Sequence, residues 1–339
     1  MTEYVPTTQP CSLRSDDMSV SALPKGLPHQ CHPIHGSGRV WDETNCYLDV
    51  VVELLHAFGH EPLAALSVTA STRWEGDQWT FCKFNDEDLR FLFGADIQEL
   101  NPWNELEDHV VEQLGRGNPV LIEADSFYLP DTRGSSYGTQ HVKTTIGVLE
   151  MAPASKHMRY LHGRGCYELS GSDYQGLWLP LSERAEGWLP PFVERVTWLD
   201  PQRTVSLAIA AATLLRRELT RLPSDNPISI YAAGLETELE VMRKNPDMDY
   251  FHRYAFATLR QLGACFELLA GHVEWLVENG SWNRSDAGKT FFQIAQQARS
   301  LQFQLARAIA RNKILDLSPL DQMSIAWKAG FDALKSGVV

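Results

Sequence analysis

The sequence predicts an α+β fold: a domain built on an antiparallel sheet over about residues 29–199, then an all-α helical domain over 200–339. Three observations carry this. Between residues 119 and 169 the runs PVLIEA, HVKTTIGVLEM, MRYLH and CYEL are apolar or β-branched, and turn residues separate them, as expected of neighbouring strands. Beyond residue 200 each long segment repeats apolar residues at spacings of three and four, the mark of amphipathic helices. The acidic excess behind the net charge of −13 falls almost wholly before residue 200. The two parts therefore present different surfaces.

At 339 residues the chain suits about two domains of ~150 residues each. Its 44% hydrophobic and 22% charged content are those of an ordinary globular protein. No apolar run reaches the ~18 residues that span a bilayer, so no membrane partner is expected. The N-terminus lacks a hydrophobic signal core, which points to a cytoplasmic location. Six cysteines without a CxxC pair read as reduced thiols. The negative charge argues against nucleic acid as a partner.

In chain order, residues 1–28 are rich in Thr, Ser and Pro and read as a flexible arm. His29, Cys31, His32 and His35 crowd together, but no second ligand pair follows, so a loop is expected and not a zinc site. Residues 41–58, WDETNCYLDVVVELLHAF, predict a helix with Tyr47, Leu48, Val51, Leu54, Leu55 and Phe58 on one apolar face. Asp42 or Thr44 is the expected N-cap and Gly59 the stop. A short helix over 62–72 follows, and then 76–84 (GDQWTFCKF), whose aromatic alternation suits a strand or a lining segment. Asn85 should cap a helix to Phe93, stopped by Gly94, and a further helix spans 102–114. The strand 119–124 ends at Asp125 and enters a polar loop over 129–140. Strands over 141–151, 158–162 and 166–169 come next, and 190–198 closes the domain. Helices are expected over 204–222, 228–244, 250–279, 286–313 and 318–335. No nucleotide fingerprint, P-loop or repeat is present.

The chemistry centres on Cys46, near the start of the 41–58 helix, where the helix dipole favours a thiolate, the form that attacks carbonyls. A helix opening with Cys, followed by a strand opening with His141, is the order of a papain-like domain. There the thiol is the nucleophile, the imidazole the acid and base, and a carboxylate or amide orients the ring. Asp125, Glu168 and Asp173 are candidates to orient His141, with Asp125 favoured. Lys143 shares the His141 face of its strand and is placed as a substrate-binding residue. Asn45 and Tyr47 beside Cys46, Trp79, Glu168 and Asp173 are placed in the same role. The helical part carries basic groups at Arg216, Arg217 and Arg221, and at Arg299, Arg307, Arg311 and Lys313.

As a set, ETNCYLD, GDQWTF, EADSFYLPDT, QHVKTTIG and YELSGSDY resemble a bacterial family catalogued as a domain of unknown function, from about residue 41 to beyond 193. More distantly, the Cys46 helix, the PVLIEAD strand and the His141 strand are similar to the N-terminal domain of BtrH, the papain-like acyltransferase of butirosin biosynthesis. The resemblance implies transfer of an acyl or aminoacyl group in secondary metabolism. The donor would be a carrier-protein thioester and the acceptor an amine or other small molecule, with Cys46 as nucleophile and His141 as base. No cofactor of its own is implied, because phosphopantetheine rides on the carrier. The sequence departs from the papain pattern at Val40, where a glutamine would supply an oxyanion donor, and at His157 and Met158, where the orienting residue would stand. The alternatives are a cysteine hydrolase (peptidase, amidase or thioesterase) and a non-catalytic carrier-binding module.

Overall fold

The computed structural model describes residues 19–23, 30–183, 190–244, 247–311, 313 and 316–337. In chain order it contains β1 (Val20–Ser21), α1 (Cys46–Ala57), a 3-10 segment (Pro62–Ser71), α2 (Asp86–Phe93), β2 (Ala95–Glu99), α3 (Leu106–Gly115) and β3 (Val120–Asp125). Then come β4 (Lys143–Ala152), β5 (His157–His162), β6 (Gly165–Ser170), α4 (Gly171–Leu177) and β7 (Val193–Trp198). The helical part comprises α5 (Leu207–Leu219), α6 (Pro227–Lys244), α7 (Met248–Ala255), α8 (Gln261–Glu278), α9 (Ala287–Ala310) and α10 (Ser318–Ser336). The molecule is thus α+β, with an antiparallel sheet followed by helices.

The strands form one sheet in the order β2-β7-β3-β4-β5-β6, with β1 added to β4, and each pairing is antiparallel. Most of the expected N-terminal arm lies outside the described residues, but residues 19–23 do not behave as a free arm. β3 pairs β4 only as far as Val148, and the exposed backbone beyond it accepts Val20 and Ser21 opposite Met151 and Glu150. β2 and β7 were not legible as strands. They pair with each other along their whole length and complete the sheet edge beside β3.

Two layers cover the sheet. α1 lies on β4 and β5, so close that a Cβ on Gly147 would stand 3.1 Å from Val50 Cγ1. On the opposite face a smaller core gathers Val110, Ile122, Ile146, Val148, Tyr160 and Trp178 under α3 and α4. α1 differs from the expected one-sided helix. Asp49 and Glu53, 1% and 0% exposed, are buried with the apolar residues because His35 packs between their carboxylates. Its N-cap is Asn45, while the amide of Thr44 donates to Asp49 Oδ2 at 2.8 Å.

Three other expectations change. Residues 62–71 form a 3-10 segment and not an α-helix. The aromatic alternation of 76–84 yields no strand beyond a Trp74–Trp79 bridge, because both indoles pack against Tyr231 of α6, Trp74 edge-on and Trp79 tilted. The long helix expected over 250–279 contains a π-helical turn, Phe256–Arg260, between α7 and α8.

The larger core runs without a break from α1 and the 3-10 segment into α5, α6, α8, α9 and α10. Trp41, 2% exposed, is driven between α8 and α9, where its Nε1 donates to the Ala295 carbonyl at 3.0 Å. The Glu267 carboxylate accepts the amides of Val40 and Trp41 at 2.7 and 2.8 Å. This joint fixes the segment that leads into α1.

Candidate active site

The site begins at the capped end of α1. Asn45 Oδ1 accepts the Leu48 amide at 2.9 Å, which satisfies an orphan donor of the first turn. Its Nδ2 donates to the Cys82 carbonyl at 2.8 Å. Cys46 is the first residue of the helix, half-buried, with its thiol donating to Thr145 Oγ1 at 3.6 Å. Across the β3–β4 ladder Thr145 stands opposite Glu123, and Glu123 Oε1 accepts Lys143 Nζ at 2.6 Å. Beyond it, Tyr47 donates its hydroxyl to Glu194 Oε2 at 2.7 Å. Lys83 donates to Glu194 Oε1 at 3.2 Å and lies over the Tyr47 ring. Burial, and then the Glu194 carboxylate, push the Tyr47 phenol well above its ordinary range, so it stays a neutral donor.

His141 lies just before β4, where the chain is still extended and the Ser126 amide donates to the Val142 carbonyl. Its Nδ1 donates to Asp125 Oδ2 at 2.5 Å, and its ring stacks on Phe127 with centroids 4.4 Å apart and planes at 11°. The carboxylate and the stacked ring together fix the imidazole plane. With Nδ1 committed, Nε2 is the nitrogen left to exchange a proton with a substrate. A cavity of about 610 Å³ opens beside this dyad around the free end of β3. Asp125, His141, Lys143 and Glu123 line its polar side, and Leu106 and Leu177 are among the residues of its apolar side. This combination of an apolar wall and a few convergent polar groups is typical of small-molecule sites.

The structure brings His141 and Asp125 together but does not bring Cys46 to them. Among the described residues no hydrogen bond joins Cys46 to His141. The thiol meets Thr145, four residues further along the strand, a separation of roughly 13 Å at ~3.3 Å per residue. The physical reason is that His141 turns toward the end of β3, drawn by Asp125 and Phe127. Cys46 is likewise absent from the cavity lining. Asn45, Tyr47 and Trp79, expected at the substrate, are buried struts: a helix cap, a hydrogen-bonded phenol and a domain-joining indole. Glu168 sits on the outer strand β6 beside His157 at 3.6 Å, and Asp173 accepts the Tyr137 hydroxyl at 2.9 Å. Neither meets His141. Lys143 lines the cavity in ion-pair contact with Glu123.

Two histidine networks were missed because their partners are distant in sequence. Thr144 Oγ1 and His162 Nε2 are 2.8 Å apart, and His162 Nδ1 and the Tyr160 hydroxyl both meet Asp131 at 2.5 Å. Hydroxyl, imidazole and carboxylate stand in the order of a hydrolytic triad. Thr144, however, is 8% exposed, on the sheet face opposite Cys46, and does not line the cavity, so the network anchors the 126–138 loop to β5. The second network is His35 with Asp49 and Glu53, and His32 with Glu61 at 3.2 Å. The only hint for either was a histidine near acidic residues. Among the described residues no group of three or more His, Cys, Asp or Glu side chains stands where it would hold a metal ion. His29 lies outside them. No described helix is long and apolar enough to cross a membrane.

Comparison with known families matches residues 30–198 to the DUF1839 N-terminal domain and residues 204–336 to the DUF1839 C-terminal domain. No curated protein matches the chain.

Proposed function

The chain belongs to the DUF1839 family, and on the site just described we propose that it is a cysteine-dependent acyltransferase of papain-like organisation. The observation that supports this best is the His141–Asp125 dyad, fixed at 2.5 Å between the end of β3 and the segment entering β4, the strand that also holds Cys46 through Thr145. In the proposed reaction the Cys46 thiolate attacks an acyl or aminoacyl thioester carried on a carrier protein. The carbonyl–sulfur bond to the carrier breaks, its thiol leaves with a proton from His141, and the acyl group rests on Cys46 as a new thioester. An amine acceptor then attacks that thioester. His141 takes the proton of the amine, Cys46 leaves, and the amide is released. The backbone amides that open α1 supply the oxyanion donors, replacing the glutamine that Val40 does not provide. In this reading proton transfer belongs to a closed form in which His141 and Asp125 move together toward the start of α1.

A second reading has a specific observation behind it: the cavity beside His141 does not include Cys46. On that reading the dyad activates a water directly, and the protein is a hydrolase. Aminoacyl-carrier thioester with and without an amine acceptor tests both. Acceptor-dependent loss of the thioester, abolished by Cys46→Ala and by His141→Ala alike, is the result of the acyltransferase. Loss without acceptor that survives Cys46→Ala but not His141→Ala is the result of the hydrolase.

A further inference from the structure

A cavity of about 490 Å³ opens where the segment before α1 meets the helical part. Three guanidinium groups reach it from three elements: Arg164 from the β5–β6 turn, Arg260 from the π-helical turn and Arg299 from α9. Asp42 and Glu43 line the same cavity, so its three guanidinium groups outnumber its two carboxylates. Arg299 rests on the rings of Trp41 and Phe303 at 5.1 and 5.2 Å, and among the described residues no carboxylate pairs with it. Arg260 lies over the Phe256 ring at 4.6 Å and donates to the Glu43 carbonyl and to Glu43 Oε2, each at 3.3 Å. Arg164 and Asp42 are 3.9 Å apart, both half or more exposed. These are loose pairs. Arg217, by contrast, closes on Asp88 through two bonds of 2.5 and 2.6 Å.

A second observation is independent of the arginines. Gln302, on the wall of the same cavity, has its Oε1 buried with no hydrogen-bond partner. A buried amide atom without a partner costs on the order of 1–3 kcal/mol, and a ligand polar group would relieve that cost. The third is the π-helical turn itself. It interrupts an otherwise continuous helix where Phe256 and Arg260 enter the cavity, and such turns recur at functional sites.

We propose that this cavity binds an oxyanion ligand of the phosphate-ester class. Arg299 and Arg260 would grip the phosphate, with Arg164 released from Asp42 to join them. Gln302 Oε1, which only accepts, would take a hydrogen bond from a hydroxyl or N–H of the ligand beside the phosphate, and Phe256 would contact an apolar portion. Planar guanidinium forks match phosphate oxygens two at a time, which suits the task better than point charges. The proposal does not depend on Cys46 or His141.

Titration of the full chain with inorganic phosphate, phenyl phosphate and benzoate at low ionic strength tests it, read by calorimetry and by tryptophan fluorescence. Phenyl phosphate should bind saturably, more tightly than benzoate, and more weakly as salt rises. Arg299→Gln should weaken it ~10-fold or more, whereas Gln302→Leu should leave it within about twofold, because phenyl phosphate has no donor for Oε1. If Arg299→Gln fails to fold, Arg164→Gln, half-exposed at the turn, takes its place in the comparison. Binding of none of the three probes at millimolar concentration, equal binding by the parent and the folded arginine variant, or a preference for benzoate would overturn the proposal.

Discussion

His141 and Asp125 meet at 2.5 Å across the end of the β3–β4 pair, sixteen residues apart in the chain. The contact gives the imidazole one fixed orientation. The carboxylate accepts from Nδ1, and the opposite face of the ring is held by Phe127. If this dyad is the acid and base of the reaction, Asp125→Asn should lower kcat strongly with little change in KM, because the amide no longer fixes the tautomer. His141→Ala should cost ~10²-fold or more. Steady-state kinetics on the thioester assay checks both, and an unchanged kcat in Asp125→Asn would leave the contact a loop anchor.

His35 is the buried counterpart, wedged between Asp49 and Glu53 at 1% side-chain exposure. Burial alone would lower its pKa, but hydrogen bonds and charge from the two carboxylates outweigh this and raise it above 6.5. A histidine raised in the folded state contributes stability that is complete below its unfolded value and lost as pH rises through its folded value. His35→Gln should therefore cost about 3 kcal/mol or more near pH ~6, by leaving two buried carboxylates without a cation. The gap between parent and variant should shrink at alkaline pH. Urea unfolding of both proteins across this range measures it. A gap that grows with pH contradicts the assignment.

The joint between the two parts should make unfolding a single event. Gly263 of α8 faces Trp41, and a Cβ there would lie 2.2 Å from Nε1. Gly263→Ala gains helix propensity of up to ~1 kcal/mol, yet overpacking of this kind costs about 1–3 kcal/mol. We expect a net loss, seen as a lower Tm with one transition still reported by both far-UV dichroism and Trp fluorescence. Early release of a folded 1–199 fragment by limited proteolysis would show instead that the parts are separable.

A carrier protein, acidic as a rule, needs a basic face, and the sheet domain is acidic. Arg217 is committed to Asp88 and Glu218, and Arg216 lies over Trp282. Arg307 and Arg311, exposed near the end of α9, remain for the task. Reversing both charges, Arg307→Glu with Arg311→Glu, should weaken carrier binding ~10-fold or more and flatten its salt dependence. Equal affinity for parent and double variant in a titration would move the carrier elsewhere.

Much of the frame was legible because it rests on local signals. Asn85 and Gly94 bracket α2 as read, with Gly94 at φ +73° against Leu199, which follows β7. β3, β5 and β6 were marked by apolar runs between turns, and α9 by its periodicity. What failed was set by distant contacts. Asp49 and Glu53 look like a solvent face until His35 fills the space between them. The WTF segment alternates like a strand because Tyr231, from another part of the chain, packs against its indole. At the site the nearness of Asp125 to His141 followed from strand adjacency. The side to which His141 turns is set by Phe127 and the loop, which periodicity does not encode.

The most direct measurement is the fate of the acyl group. The protein is incubated with an aminoacyl-carrier thioester, and the mass of each cysteine peptide is then mapped. Among the described residues Cys82 and Cys265 are buried, and burial raises the Cys166 thiol, so exposed Cys31 is the main competitor there for adventitious labelling. The account predicts the aminoacyl mass on Cys46, discharged by an amine acceptor, slowed by His141→Ala, and absent with all turnover in Cys46→Ala. Full turnover in Cys46→Ala, or an adduct confined to Cys31, would contradict the covalent mechanism.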